Sequence, residues 1–161
     1  MCRYNGPSTS CNIQNSGVSP SAQQALLRKH NDLRRRLAHG QVSRQPAAAN
    51  MRKLRWSNEL ASIAQRWADQ CNFGHDSSRD RLDRSNVGQN AWSRGSTMMQ
   101  SCDNIVLGGV DSWFSENSMF NSRNIQPFRF QNNYGHYTQV AWADTSEVGC
   151  GLTSYRAGRS V

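Results

Sequence analysis

The sequence predicts an α+β fold, in which a small mixed sheet forms the middle layer of an α-β-α sandwich. Segments with apolar side chains at helical spacing are mixed with strand-like runs, and signals for β-hairpins are few. The chain has 161 residues, which suits a single domain with a sizeable core. The sequence shows no internal repeat and no second domain.

The beginning of the chain divides into an arm and a helix. Residues 1–20 are rich in Ser, Asn, Gly and Pro and predict an irregular arm, whereas residues 21–161 form the domain. The first helix is expected to start at Ser19 and Pro20, because serine caps free backbone amides and proline suits the first helical position. Gly40 should end this helix. Its inward face is predicted to contain Leu26, His30, Leu33 and Leu37.

Two further helices are predicted by the same spacing. The second begins after its cap, Ser57. Its apolar stripe contains Leu60, Ile63, Ala64, Trp67, Ala68 and Cys71. The third runs from Asp103 to about Asn117, although Gly108 and Gly109 lower its intrinsic propensity by about 2 kcal/mol. Its inward side chains are expected to be Val106, Val110, Trp113 and Phe114.

Three strands are predicted from short apolar and aromatic runs bounded by turn residues. They cover residues 86–92, 137–142 and 148–155. A polar loop should precede the first of them, and the aromatic segment 118–135 is expected to be irregular. The mixture of these strands with the helices favours a helix–sheet–helix arrangement.

The chain is strongly basic, with a formal net charge of +8. Lys29 and Lys53 are its only lysines, so arginine supplies most of the charge. A phosphate-binding surface and a solvated basic exterior are both compatible with this composition. The run 34–36 spans nearly a full helical turn and cannot form one flat patch, which favours the second interpretation. A nucleic-acid partner is not expected, and no apolar run reaches membrane-spanning length.

The five cysteines lack any Cys-x-x-Cys pair, which disfavours zinc-ribbon and thioredoxin-like functions. Their wide spacing in a small basic chain favours disulfides and an oxidising compartment. An odd number leaves either a free thiol or a partner outside this chain. The cysteines are Cys2, Cys11, Cys71, Cys102 and Cys150.

Three residues could carry metal chemistry. His75 and His136 each follow a glycine at the edge of a predicted element, and Glu116 ends an apolar helix. Two imidazoles and a carboxylate are a common ligand set for zinc, but only the fold can bring such distant residues together. The sequence contains no Gly-x-Ser-x-Gly motif, so a hydrolytic nucleophile is not indicated.

One segment closely resembles the signature of the CAP superfamily, which includes cysteine-rich secretory proteins, plant pathogenesis-related proteins and antigen-five allergens. It is the run from Gly135 to Thr145, Gly-His-Tyr-Thr-Gln-Val-Ala-Trp-Ala-Asp-Thr. The resemblance covers about residues 1–155 and is closest to the arthropod venom allergens. Other matching stretches follow the order of the family: 27–34, 54–61, 71–76, 87–90, 113–116 and 147–151.

The resemblance implies the α-β-α sandwich and a central cavity that contains His75, Gln89, Glu116 and His136. Gln89 stands where the family often has glutamate, and an amide cannot act as a general base. A divalent metal such as zinc, held by His75, Glu116 and His136, is therefore permitted by the resemblance but not required as a cofactor.

The resemblance also implies disulfide pairing. Cys11 is expected to bond Cys71, which ties the arm to the second helix. The partners of Cys2 and Cys150 are expected outside this chain, as if it were a fragment without the last strand of the family fold. The pairing of Cys102 stays open.

The function that this resemblance implies is that of a secreted, non-enzymatic allergen-type protein from venom or saliva, expected as a monomer. It would bind a lipid or sterol, or a host protein, and IgE is a further partner implied for an allergen. The candidate lipid-binding residues are Phe120, Phe128, Phe130 and Tyr134, unless these aromatics simply cover the core. The alternatives are a protease-like enzyme that uses His75, Glu116 or His136, and an ion-channel modulator.

Overall fold

The computed structural model describes Tyr4 and residues 6–83, 85–96 and 102–156, apart from the side chains of 102–104. Within these residues the helices are α1 Pro20–Ala38, α2 Asn58–Ala68, α3 Cys102–Ser115 and α4 Gly135–Val140. The strands are β1 Asn12–Ser16, β2 Arg55–Trp56, β3 Glu147–Val148 and β4 Thr153–Arg156. Single 3-10 turns cover Glu116–Ser118, Ser122–Asn124 and Asn132–Tyr134.

Helix α1 begins and ends where the sequence predicts. The hydroxyl of Ser19 accepts the backbone N–H of Ala22 at 3.2 Å, and Pro20 occupies the first helical position. Gly40 follows the helix with a φ of +65°, a conformation that favours glycine. The buried face of the helix contains Ala22, Leu26, His30, Leu33, Arg34 and Leu37.

Helix α2 also begins as predicted, because the hydroxyl of Ser57 accepts the backbone N–H of Leu60 at 3.3 Å. It ends at Ala68, before Cys71, the last residue of the predicted stripe. Cys71 has a φ of +52° and forms a disulfide with Cys11. This bond connects the N-terminal arm to the residues that follow α2.

The strand predicted for residues 137–142 is wrong, because most of this segment belongs to helix α4. Short apolar runs do not distinguish a strand from a buried helix, and here Tyr137 and Val140 occupy one helical face in the core. The hydroxyl of Thr138 donates to the carbonyl of Gly135, three residues earlier, at 2.9 Å, which is a contact within one helical turn.

The strand predicted for residues 86–92 is also absent from the structure. Side chains hold the backbone of this segment in place of a neighbouring strand. Arg79 Nε donates to the carbonyl of Val87 at 2.6 Å, and Trp113 Nε1 donates to that of Ala91 at 3.1 Å.

The last predicted strand is divided into β3 and β4 by residues 149–152. This segment lies directly against α2, since a Cβ on Gly149 or Gly151 would overlap backbone atoms of that helix. Gln65 of α2 replaces the missing ladder: its amide oxygen accepts the N–H of Leu152 at 2.9 Å, and its amide nitrogen donates to the carbonyl of Leu152 at 2.9 Å.

The four strands form two pairs among the described residues. β1 is antiparallel to β4, with Asn12 opposite Arg156 and Ser16 opposite Thr153. The arm predicted to be irregular therefore includes a paired strand. β2 is parallel to β3, with Arg55 opposite Glu147.

The main core lies between α1, α3, α4 and the residues that follow α3. Its buried side chains are Leu26, Leu33, Leu37, Val42, Val110, Phe114, Phe120, Tyr134, Tyr137 and Val140. Cys150 packs against this core, whereas α2 contacts the adjacent glycines 149 and 151. The chain therefore forms the predicted α+β arrangement, with strand segments between α2 and the other helices. No helix in the described ranges has the length and apolar character needed to cross a bilayer.

The charge of His30 affects stability, because this imidazole is buried in the core. Its Nδ1 lies 2.9 Å from the carbonyl oxygen of Leu26, so the neutral ring donates its proton there. Burial lowers the pKa of His30 from its ordinary value; the hydrogen bond to Leu26 opposes this effect, and the nearby charge of Arg34 adds to it.

The stability of the protein is therefore expected to fall as the pH drops below about 6.5, because the unfolded chain then binds a proton that the folded chain excludes. Urea denaturation at several pH values should show that His30 changes the free energy of unfolding by up to about 1.4 kcal/mol per pH unit in this range. His30→Gln should reduce this slope, whereas His39→Gln, at an exposed position, should leave the slope unchanged. Equal slopes for the wild type and His30→Gln would contradict the prediction.

Candidate functional site

Glu116 and His136 form a hydrogen-bonded pair at the start of α4. One carboxylate oxygen of Glu116, Oε1, lies 2.7 Å from Nδ1 of His136. The other, Oε2, accepts the backbone N–H of His136 at 3.0 Å and that of Tyr137 at 3.1 Å. The carboxylate therefore caps α4 and orients the imidazole at the same time.

His75 is paired with Gln89 rather than with an acid. Nδ1 of His75 lies 3.1 Å from Gln89 Oε1, which also accepts the backbone N–H of Asp76 at 2.9 Å. Because Oε1 only accepts hydrogen bonds, Nδ1 of the neutral His75 carries the proton. The same reasoning applies to His136 beside the Glu116 carboxylate. Each neutral imidazole thus presents the lone pair of Nε2, which is suited to accept a hydrogen bond or to bind a metal.

The segment 89–91 connects the two pairs. Next to Gln89, Asn90 donates from Nδ2 to the carbonyl of His136 at 3.0 Å. Trp113 stacks on the ring of His136 with centroids 6.4 Å apart and donates to Ala91. The positioning role of Asn90 was not predicted, although Asn90 follows Gln89 within one of the matching stretches.

The donor atoms fit zinc only in part. Among the described residues, no group of three or more His, Cys, Asp or Glu side chains is placed to hold a metal. Glu116 uses both oxygens in hydrogen bonds to His136 and Tyr137, so its position suits orienting an imidazole better than binding an ion. The three-ligand set with Glu116 stays a prediction.

A cavity of about 1420 Å³ lies beside this site rather than around it. Gln89 lines this cavity, but His75, Glu116 and His136 do not. Cys150 also lines it, and burial raises the pKa of the Cys150 thiol to about 12. A thiol with this pKa is protonated at neutral pH and is a poor nucleophile.

The four aromatic residues predicted to bind lipid divide into two buried and two exposed side chains. Phe120 and Tyr134 are buried and pack edge to face with ring centroids 4.9 Å apart. Phe128 and Phe130 are 41% and 63% exposed. The first two cover the core, and only the second two are accessible to a ligand.

Comparison with known proteins agrees with this fold. A family model described as CAP: Cysteine-rich secretory protein family matches residues 27–161. Venom allergen 5 of Brachyponera chinensis is 39% identical over 99% of this chain and 84% of that protein. Venom allergen 3 homolog of Dinoponera quadriceps is 38% identical over 99% of this chain and 72% of that protein. The crystal structure of NaASP2 with Zn²⁺ matches with a TM-score of 0.67 and 26% identity, over 86% of this chain and 74% of that one.

The chain therefore belongs to the CAP, or cysteine-rich secretory protein, family. Within that family, the relatives named above are venom allergens, which confirms the resemblance inferred from the Gly135–Thr145 segment.

Proposed function

We propose that this protein is secreted and acts by binding a lipid or sterol, without catalysing a reaction. The observation that carries the proposal is the exposure of Phe128 and Phe130 beside a core that is already closed by Phe120 and Tyr134. Large apolar side chains that the core does not need are typical of binding surfaces. The family name, the venom allergen relatives and the Cys11–Cys71 disulfide support secretion.

The contacts of the two imidazoles support binding rather than hydrolysis. In the described part of the chain, neither His75 nor His136 is hydrogen-bonded to a Ser, Thr or Cys side chain. A nucleophile beside a base is the arrangement that covalent catalysis needs. Labelling by a serine-directed covalent probe, or peptide cleavage by the pure protein, would contradict this part of the proposal.

A divalent metal is compatible with this function. We propose that zinc, when present, binds the Nε2 atoms of His75 and His136, while Glu116 and Gln89 orient the two rings. Bound zinc would supply a Lewis acid at that position. Elemental analysis of the purified protein tests this assignment.

Titration with a fluorescent sterol tests the main proposal. We expect a saturable signal for the wild type and an affinity about tenfold lower for Phe130→Ala, because the variant loses most of an apolar contact surface. The matched control is Phe73→Ala, since Phe73 is 66% exposed and lies outside the aromatic segment. A signal that does not saturate, or equal weakening by both variants, would overturn the proposal.

A further inference from the structure

Four exposed apolar side chains lie in the loop before α4 or just after the end of α4, and we call them the aromatic patch: Ile125, Phe128, Phe130 and Trp142. Phe128 and Trp142 pack edge to face with ring centroids 5.1 Å apart, which joins the loop before α4 to the residues after it. Phe130 lies over Gly135, where an added Cβ would be 2.9 Å from the Phe130 ring. The patch therefore includes both ends of α4.

A buried tyrosine holds this loop in place. Tyr134 is only 1% exposed, and its hydroxyl donates to the carbonyl of Arg129 at 2.7 Å. The same hydroxyl accepts from Asn124 Nδ2 at 3.1 Å, and the backbone N–H of Arg129 donates to the carbonyl of Asn124 at 3.0 Å. The exposed rings are thus presented by a preformed loop, and binding through them requires little ordering of the backbone.

The loop before α4, which contributes three of the four patch residues, has charges of one sign, whereas the exposed Asp144 lies two residues after Trp142. No Asp or Glu occurs between Glu116 and Asp144, whereas Arg123 and Arg129 lie within the loop and are exposed. Neither of these arginines has an ion-pair partner among the described residues. Glu116 directs its carboxylate to His136 and to backbone amides of α4, so it does not neutralise them.

Aromatic rings beside unpaired arginines match the chemistry of a lipid headgroup region. Aromatic side chains are favoured at the boundary between headgroups and acyl chains, and guanidinium groups bind phosphate and are attracted to anionic lipid. We propose that the aromatic patch docks this protein on the surface of a bilayer that contains anionic lipid. This inference rests on the proposed lipid-binding function and adds to it the charge of the membrane.

Co-sedimentation with three kinds of vesicle tests the docking. They contain phosphatidylcholine alone, phosphatidylcholine with phosphatidylserine, and phosphatidylcholine with cholesterol. We expect binding to the phosphatidylserine vesicles to be at least about tenfold stronger than to the other two and to weaken at high salt. Equal binding to all three kinds would overturn the inference, and so would the absence of binding to any of them, which would point to a protein partner.

Matched variants locate the contact. Combining Arg123→Ser with Arg129→Ser should weaken binding to the phosphatidylserine vesicles about 25-fold, and Phe130→Ala should weaken it about tenfold. Combining Arg28→Ser with Arg36→Ser removes the same net charge from exposed positions of α1 and should change binding less than about threefold. If both double variants lose affinity equally, binding follows net charge and the patch is not the contact.

The outcomes separate this inference from the proposed function. If the sterol titration saturates but vesicle binding does not depend on phosphatidylserine, sterol binding is supported and membrane docking is rejected. If the sterol titration is flat but the protein binds phosphatidylserine vesicles selectively, membrane docking is supported and sterol binding is rejected. Near-equal thermal midpoints of the variants, all of which change exposed side chains, would show that folding is not the cause of a loss.

Discussion

Replacing Arg34 with methionine is expected to lower the free energy of unfolding by about 3 kcal/mol. Arg34 is 2% exposed, and the five N–H groups of its guanidinium make six hydrogen-bond contacts with five backbone carbonyls, so that one N–H is shared between two of them. The acceptors belong to Arg52, Val140, Trp142, Ala143 and Thr145. Methionine fills a similar volume but leaves these carbonyls without a donor.

The loss of stability in Arg34→Met is limited because burying the charged guanidinium is itself unfavourable. No carboxylate lies within ion-pair distance of it among the described residues, and burial lowers the pKa of its guanidinium to about 10. Removing the charge therefore recovers part of its desolvation energy, while the lost hydrogen bonds outweigh that recovery.

Urea denaturation, followed by tryptophan fluorescence, measures this effect. The control is Arg35→Met, since Arg35 is exposed and makes only a surface ion pair with Asp32, so its loss should change stability by less than about 1 kcal/mol. Arg34→Lys should recover only part of the stability, because an ammonium group has fewer donors than a guanidinium. Equal effects of Arg34→Met and Arg35→Met would contradict the structural role assigned to Arg34.

Gly149→Ala is expected to destabilise the fold by at least about 3 kcal/mol. A Cβ at this position would overlap the backbone nitrogen of Ala61 and the carbonyl carbon of Leu60 in α2. Backbone atoms inside a helix cannot move aside as the end of a flexible side chain can, so α2 and the segment after β3 would have to separate.

The same denaturation experiment tests this prediction against Gly95→Ala. Gly95 has no heavy atom within 4 Å of an added Cβ, so this control should change stability by less than about 0.5 kcal/mol. A Gly149→Ala protein as stable as the control would show that α2 does not pack directly on this segment.

Local chemistry allowed the starts of α1 and α2 to be predicted from the sequence. Ser19 and Ser57 each bond a backbone amide within the first turn that follows them, so the signal and the structure lie within three residues. The ends of helices are less local: α2 stops before Cys71, whose disulfide partner Cys11 lies 60 residues away.

Segments whose backbone is satisfied by distant side chains were not predictable in the same way. Residues 137–142 have the composition of a strand, but α4 forms there because the Glu116 carboxylate caps its first amides and Arg34 binds the carbonyls of Val140, at its end, and Trp142, just after it. Residues 86–92 similarly lack a strand partner and are held by Arg79 and Trp113. Glu116, Arg34 and Trp113 each lie 20 or more residues from the groups that they bind, so no window of neighbouring residues contains them.

The sequence by itself determined the α+β class, the two serine-capped helices and, through the Gly135–Thr145 segment, the family. Tertiary structure alone decided that Glu116 pairs with His136 and His75 with Gln89, and that Phe128 and Phe130 are exposed while Phe120 and Tyr134 are buried. The physical reason is range: caps and helical periodicity act between close neighbours in the chain, whereas these pairings and burials depend on contacts between residues that only folding brings together.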